Sequence, residues 1–424
     1  MDKKSSRREF LARTAAAAAA FSIVPRQVLG GPGQTPPSEK TGDAVVGLGR
    51  GGGFISGGGK TLAVCDVDKR RMEEGMKRGG EGCKGYTDFR YILDRKDITF
   101  VKVLTPPHWH TLISIAAAQA GKDVFCEKPL TRTIAEGRAF VEAIRRHGCQ
   151  FQYGAHSEGT PADTLRRAAQ SGLLGTPLTV YQTEALGCNF KVAGWTGMVN
   201  QVPQPVPDYF DWNMFVGPSP MKPYHPHRTH GSFRGYWDYD GGGLSDMAPH
   251  ILNSIITAIG KEHTSPVEVE TDAPPAHDDA VGIWYSARLK YDDGLTLVLD
   301  SGCKPGAPGR DDSTPLLYAE GPKGRLLFAR EGRDRVPRTD PPGLLDDLKH
   351  ANVSRDTSRL QGLPGPLRTV IHAHRVVSIP HLVNLSVRTG RKLRFDPVKE
   401  EVVGDEEANR LVNPPMRAPW HLAL

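Results

Sequence analysis

An apolar run, Asp43-Ala44-Val45-Val46, feeds directly into Gly47-Leu48-Gly49-Arg50-Gly51-Gly52, and a second run at residues 62–65 stops at Asp66. Gly47-x-Gly49-x-x-Gly52 between two strands, with a carboxylate closing the second, constrains the fold more than any other feature of the chain. The glycines let a backbone turn tightly and approach a pyrophosphate, and the carboxylate is placed to take ribose hydroxyls. The rest of the first third keeps the rhythm. Strands are expected at 100–104 and 123–126, and helices at 112–120 and 134–147. Strands alternating with helices at this spacing indicate an α/β domain with a doubly wound parallel sheet over residues 43–154. One detail breaks the pattern. Only residues 53–61 separate the last glycine from the second strand, and four of them are glycine. A crossover helix normally runs about 11 residues, so the first one is expected to be shortened or absent. A glycine-rich loop without a ligand is the alternative.

A chain of 424 residues has room for a second domain, and the texture changes after residue 154. Alternating strands are expected at 178–183, 281–289 and 295–299, and a turn at 320–324 leads into another at 325–328. Residues 155–390 therefore read as an α+β domain with an open, largely antiparallel sheet. Residues 301–366, dense in Gly, Pro and charge, are expected to be long irregular loops. A helix at 367–387 ends at Arg388-Thr389-Gly390, and residues 391–424 form a tail.

Three clusters carry chemistry. Thr105-Pro106-Pro107-His108-Trp109-His110 ends the third strand and Glu127-Lys128-Pro129 ends the fourth, both at carboxyl ends, where open parallel sheets place ligands. Lys128 can hold a substrate hydroxyl; the bland alternative is a solvated lysine. Gly241-Gly242-Gly243-Leu244-Ser245-Asp246-Met247-Ala248-Pro249-His250 opens a helix. Proline is tolerated in a first helical turn, which predicts a helix start near Asp246. Asp246 and His250 then lie one turn apart on one face, and a histidine suits removal of a proton from an alcohol. A helix cap and a core histidine explain the same pair. His225-x-His227-x-x-His230 gathers imidazoles, but the spacing fits no strong metal template, and incidental loop histidines are the preferred reading. Tyr236-Trp237-Asp238-Tyr239 offers faces for stacking on a sugar ring, or packing under a loop.

Together these motifs resemble the glucose–fructose oxidoreductase, inositol dehydrogenase and MocA family, over nearly the whole chain after residue 42. The resemblance rests on the glycine loop, Thr-Pro-x-x-x-His, Glu-Lys-Pro and Gly-Gly-x-x-x-Asp-x-x-x-His, with Ser171 to Pro177 and the run Gly390 to Leu393 in support. It implies a Rossmann domain followed by an open-faced α/β domain whose sheet often serves oligomerisation. It also implies a nicotinamide cofactor and a sugar or polyol substrate. By the same resemblance Lys128, Asp246 and His250 occupy the catalytic positions. Gly47, Gly49, Gly52, Asp66, Thr105, Pro106, His110, Glu127 and Lys128 occupy the cofactor positions. The chain departs from the family in its short first crossover, in Pro107 and in Asn253. Asp66 favours NAD over a 2′-phosphate, while Lys69, Arg70 and Arg71 leave NADP open.

Residues 1–30 read as an export signal. Ser6-Arg7-Arg8-Glu9-Phe10-Leu11 is a twin-arginine sequence ahead of an apolar run at 12–24, shorter than the ~20 residues that span a bilayer. A Gly/Pro/Ser-rich linker follows at 31–42. This segment holds +4 of the formal +6 charge, so the remainder presents no basic face and nucleic acid is not an expected partner. Twin-arginine export carries folded proteins, so the six cysteines are expected as buried free thiols rather than a disulfide framework. No later stretch approaches membrane length. Outside the cytoplasm no free pool of nicotinamide is expected. The reading is therefore an exported (periplasmic) enzyme with a tightly held cofactor in a closed redox cycle. It would oxidise one sugar and reduce another, or cleave a glycoside by oxidation, elimination and reduction. A non-catalytic sugar-binding protein and a metal-dependent hydrolase are the competing classes.

Overall fold

The computed structural model describes residues 42–56, 60–155, 162–183, 195–304, 317–331, 334–353 and 360–422. The export signal, the linker up to residue 41 and Cys188 lie outside these.

Six strands make the first sheet: β1 (Gly42–Val46), β2 (Thr61–Cys65), β3 (Lys84–Tyr86), β4 (Ile98–Val103), β5 (Asp123–Cys126) and β6 (Phe151–Tyr153), in the order β3-β2-β1-β4-β5-β6. The registered pairs are parallel. Strands β1 and β2 are buried on both faces, which is why they read as continuous apolar runs. The strand order reverses between β1 and β4, and the crevice beyond their carboxyl ends is where such sheets bind ligands. Three helices matter for the site: α1 (Lys69–Gly79), α2 (Pro107–Gln119) and α3 (Ile134–His147).

The first crossover has no α-helix. A 3-10 helix, Arg50–Phe54, takes its place. Lys102 on β4 pins it: Nζ lies 2.6 Å from Asp43 Oδ2 and donates to the Phe54 carbonyl at 3.0 Å. The Ser56 amide, bonded to Thr61 Oγ1 at 2.9 Å, leads the chain back to the sheet.

A nine-stranded sheet forms the second layer: β7 (Thr179–Gln182), β8 (Glu268–Asp272), β9 (Ser286–Lys290), β10 (Thr296–Asp300), β11 (Leu317–Gly321), β12 (Gly324–Glu331), β13 (Asp334–Asp340), β14 (Leu393–Asp396) and β15 (Glu401–Val402). The order is β13-β12-β11-β7-β10-β9-β8-β14-β15, and the registered pairs are antiparallel except β7 with β10. Two expectations are corrected here. Residues 317–350 are not irregular loops but three strands and a helix, Leu344–His350. Leu317, Ala319, Leu326 and Phe328 alternate into the core while Glu320 and Arg325 face outward, so the charge is the solvent face of a period-two pattern. The strand expected over 281–289 is confined to Ser286–Lys290, with 281–285 in loop.

The long helices α4 (Gly242–Ala258) and α5 (Gly365–Thr389) close the molecule, α5 ending on Gly390 in left-handed conformation. Helix α4 starts four residues before the expected Asp246, so Pro249 lies inside it. Proline there removes the N–H that would bond the Ser245 carbonyl, and burial of Leu244, Ala248, Leu252 and Ile255 holds the helix through the missing bond. Helix α5 serves two cores. Val370, Ala373 and Val377 belong to the apolar cluster of the first sheet, and Val376, Ile379, Leu382 and Val383 to that of the second. No helix among the described residues is long and apolar enough to cross a membrane. The described cysteines are free; four are buried, whereas Cys303 is exposed.

Candidate functional site

A cleft of about 340 Å³ opens at the carboxyl ends of β1, β2, β4 and β5. Gly47, Gly49, Asp66, Thr105, Pro106, Glu127 and Lys128 all line it. Gly47 has φ +92°, and a Cβ there would stand 2.6 Å from the Leu104 carbonyl carbon. Only glycine permits both that backbone and the approach of the first turn to the end of β4.

Asp66 closes β2 as expected. Its Oδ2 accepts from the Leu48 amide at 2.7 Å and Oδ1 from the Asp68 amide at 2.9 Å. Burial raises its pKa, opposed by those two amides. The carboxylate thus fixes the glycine turn as well as facing the cleft. Thr105 Oγ1 is buried without a hydrogen-bond partner, a polar atom that a bound ligand would satisfy.

Two assigned cofactor residues do not reach the cleft. His110 is buried, with Nδ1 2.8 Å from the Pro129 carbonyl and Nε2 2.7 Å from the Thr105 carbonyl. It braces the two strand ends against each other instead of touching a ligand. Burial pushes its pKa down to about 4, against the two carbonyls that favour a second ring N–H. Gly52 turns away toward the Arg78 guanidinium, 3.0 Å from where its Cβ would be. The 3-10 winding, at three residues per turn, brings Gly51 to the cleft instead, its Cβ direction 3.1 Å from Leu104 Cβ.

Opposite the glycine turn lies a charged cluster. Lys128 Nζ donates to Asp246 Oδ1 at 2.8 Å and to the Asp246 carbonyl at 2.7 Å. Arg234 Nε donates to the same Oδ1 at 2.7 Å, and Trp195 Nε1 to Oδ2 at 3.2 Å. Lys128 and Asp246 are 9% and 3% exposed, so neither charge is solvated and each depends on the other. Burial works against the Asp246 carboxylate, but Arg234 and Lys128 outweigh it and hold the pKa down at about 2. Neighbouring Asp240 moves the other way: burial, then repulsion from Asp246, raises it. Its Oδ1 accepts from the Gly241 amide while Oδ2 has no partner. Asp246 stands behind Lys128 and Arg234, which form the wall. His250 follows Asp246 by one turn of α4 and is half-buried, and it too lies behind the cleft wall.

The other histidines are spread among separate tasks. His225 caps a short 3-10 turn through the His227 amide, His227 Nδ1 lies 2.6 Å from Tyr236 Oη, and His230 lines the cleft. Among the described residues no group of three or more His, Cys, Asp or Glu is placed to hold a metal. Tyr236 and Tyr239 are fully buried and Trp237 nearly so, so this run packs under the loop and offers no open face to a sugar. Arg234, Trp195 and Gly51 were not legible as site residues: 195 and 234 lie in a segment of loops and 3-10 turns that has no periodicity to read.

The positive-φ glycine, the carboxylate after β2 and the orphaned Thr105 hydroxyl fit a dinucleotide lying across the switch point. Comparison with known proteins agrees. Over 94 residues the chain is 38% identical to levoglucosan dehydrogenase of Pseudarthrobacter phenanthrenivorans, covering 22% of this chain and 24% of the relative. Over 128 residues it is 30% identical to inositol 2-dehydrogenase of Salmonella paratyphi B, covering 29% and 38%. The matched stretches thus span well under half of these relatives. The WlbA dehydrogenase of Bordetella pertussis, solved with NADH and UDP-GlcNAcA, superimposes with TM-score 0.53 at 17% identity over 84% of this chain and 98% of that one, a likeness of fold. Residues 43–155 match the oxidoreductase family's NAD-binding Rossmann fold, and residues 158–422 match its C-terminal α/β domain. With both halves matched in order across the described body, the chain belongs to the Gfo/Idh/MocA oxidoreductase family.

Proposed function

We propose that this chain is an exported, NAD-dependent oxidoreductase acting on a hydroxyl of a sugar, glycoside or polyol. The observation that carries the reading is Lys128, an ammonium fixed by two Asp246 oxygens on the wall of a cleft that also holds Gly47, Asp66 and Thr105. Bound NAD would supply the hydride acceptor. Lys128 would hold the reacting hydroxyl by a hydrogen bond, and His250 would take its proton. Asp246 positions Lys128 and keeps it charged. Arg234, bonded to the same carboxylate and lining the cleft, is set to take a second hydroxyl of the substrate. Names of relatives such as levoglucosan dehydrogenase and inositol 2-dehydrogenase support a polyhydroxy substrate. The twin-arginine sequence at residues 6–11 supports export of the folded protein with its cofactor already inside, hence a closed redox cycle.

The test is identification of what the purified protein carries. The chain is expressed with its signal, purified, denatured, and the released small molecules are analysed by mass spectrometry. Near-stoichiometric NAD(H) is expected. A protein that comes out empty and binds no added NAD(H) or NADP(H) would overturn the reading. It would leave a sugar-binding protein, the reading that the missing crossover helix favours.

A further inference from the structure

The cleft is not built by the first domain alone. Residues 207–234, from the second half of the chain, run along it from end to end. At the Asp66 end this segment is hydrogen-bonded like a strand to the turn that follows β2. Lys69 N donates to the Tyr209 carbonyl at 2.9 Å, Asp211 N donates to the Val67 carbonyl at 3.0 Å, and Asp68 pairs with Phe210 in an antiparallel bridge. The Arg70 guanidinium, held by Asp68 at 3.0 Å, lies 3.4 Å above the centre of the Tyr209 ring. At the Lys128 end the same segment finishes at Arg234, bonded to Asp246.

Between these anchors Phe210 and His230 face the cleft, their ring centres 5.7 Å apart, and His230 holds a left-handed backbone (φ 51°). A non-glycine residue in that conformation marks a place that the surroundings over-determine. The support is an aromatic cluster of Phe210, Trp212, Phe215, Tyr224, Phe233, Tyr236 and Tyr239, so the strap is packed rather than loose. Asp66 marks the adenosine ribose, and Phe210 and His230 stand beside it, where flat apolar or aromatic faces suit an adenine ring.

We propose that residues 207–234 clasp the adenosine half of the dinucleotide: Phe210 and His230 face the adenine, and the Arg70–Tyr209 stack is the latch that must open before the cofactor can leave. This rests on the dinucleotide reading of the cleft and adds to it a physical cause for retention. The latch lies at the surface, Arg70 being 58% exposed, so truncating it empties no core.

The full chain is loaded with radiolabelled NAD, diluted into excess unlabelled NAD, and the retained label is followed by filtration. Arg70→Ala is expected to release label about tenfold faster than the parent chain, equivalent to 1.4 kcal/mol and within reach of a partly desolvated cation–π contact. Tyr209→Leu serves as the second variant, and unchanged melting curves show that each is folded. Arg70→Ala should also weaken binding of ADP-ribose while leaving nicotinamide mononucleotide unaffected. Release from both folded variants within about twofold of the parent overturns the clasp and leaves the oxidoreductase reading standing. Equal losses for both fragments overturn the placement at the adenosine half. A parent chain that takes up no NAD overturns the clasp and the reading together.

Discussion

The two rims of the cleft are made differently. The glycine rim is a backbone structure: Gly47 against Leu104, Asp66 holding the Leu48 amide, and a 3-10 turn pinned by Lys102. The opposite rim is made of side chains, with Lys128, Arg234 and Trp195 converging on one buried carboxylate, Asp246. A backbone rim fails by losing shape and therefore stability. A side-chain rim fails by losing charge balance and therefore chemistry. The difference predicts which measurement each substitution should move.

The largest effect is expected at Lys128. Lys128→Met should lower kcat/KM by about 10³, in the range for a lost proton-positioning group, while cofactor release stays close to the parent's. A loss of cofactor retention equal to the loss of rate would break the comparison. Next comes Gly47→Ala, whose methyl would meet backbone atoms at 2.6 Å in a positive-φ position. A destabilisation of about 2–4 kcal/mol is expected in urea unfolding, with cofactor binding lost in step. A smaller change is expected for Arg234→Gln. Asp246 keeps Lys128 but loses one of the two cations holding its pKa down. The acid limb of the pH–rate profile should therefore move to higher pH, with kcat/KM down about tenfold.

The smallest expected effect separates the buried groups by sign. Burial pushes His108 and His381 down to about 3, so both stay neutral in the fold while the unfolded chain takes up protons below about 6.5. Their contribution is whole above that pH and is lost as pH falls, at up to about 1.4 kcal/mol per pH unit for each. Asp240, raised to about 7, acts in reverse. Its proton is bound more tightly in the fold, so the stability it contributes is present below about pH 4 and lost as pH rises to 7. Asp240→Asn should therefore stabilise the protein at pH 8 by about 1 kcal/mol and little at pH 4, as read from urea midpoints. Equal shifts at both pH values would count against the burial argument.

How legible the site was follows the same division. Gly47, Asp66, Thr105 and Lys128 sit at strand ends, so their order along the chain places them, and the parallel sheet does the rest. Gly52 was misassigned because the motif assumes an α-helix after the loop; three residues per turn put Gly51 there instead. His110 lies on the correct turn, yet the carbonyls of Thr105 and Pro129 take both its nitrogens, a tertiary fact that no spacing reveals. The proline rule placed the start of α4 four residues late because packing on both sides of Pro249 tolerates the missing bond. Strands β11 to β13 were hidden by their own solvent face, where charge masked the alternation. Arg234 and Trp195 come from a segment with no period at all.

Helix α5 has a consequence in time as well as in space. It supplies Val370, Ala373 and Val377 to the core beneath the first sheet, yet it is made more than two hundred residues after β6. A ribosome that has finished the first domain has made a sheet with part of its underside still exposed to water. That domain cannot reach its final packing until almost the whole polypeptide has emerged. For this chain the boundary near residue 154 separates two architectures without separating two folding events, and a copy cut there would present bare apolar surface to chaperones and proteases.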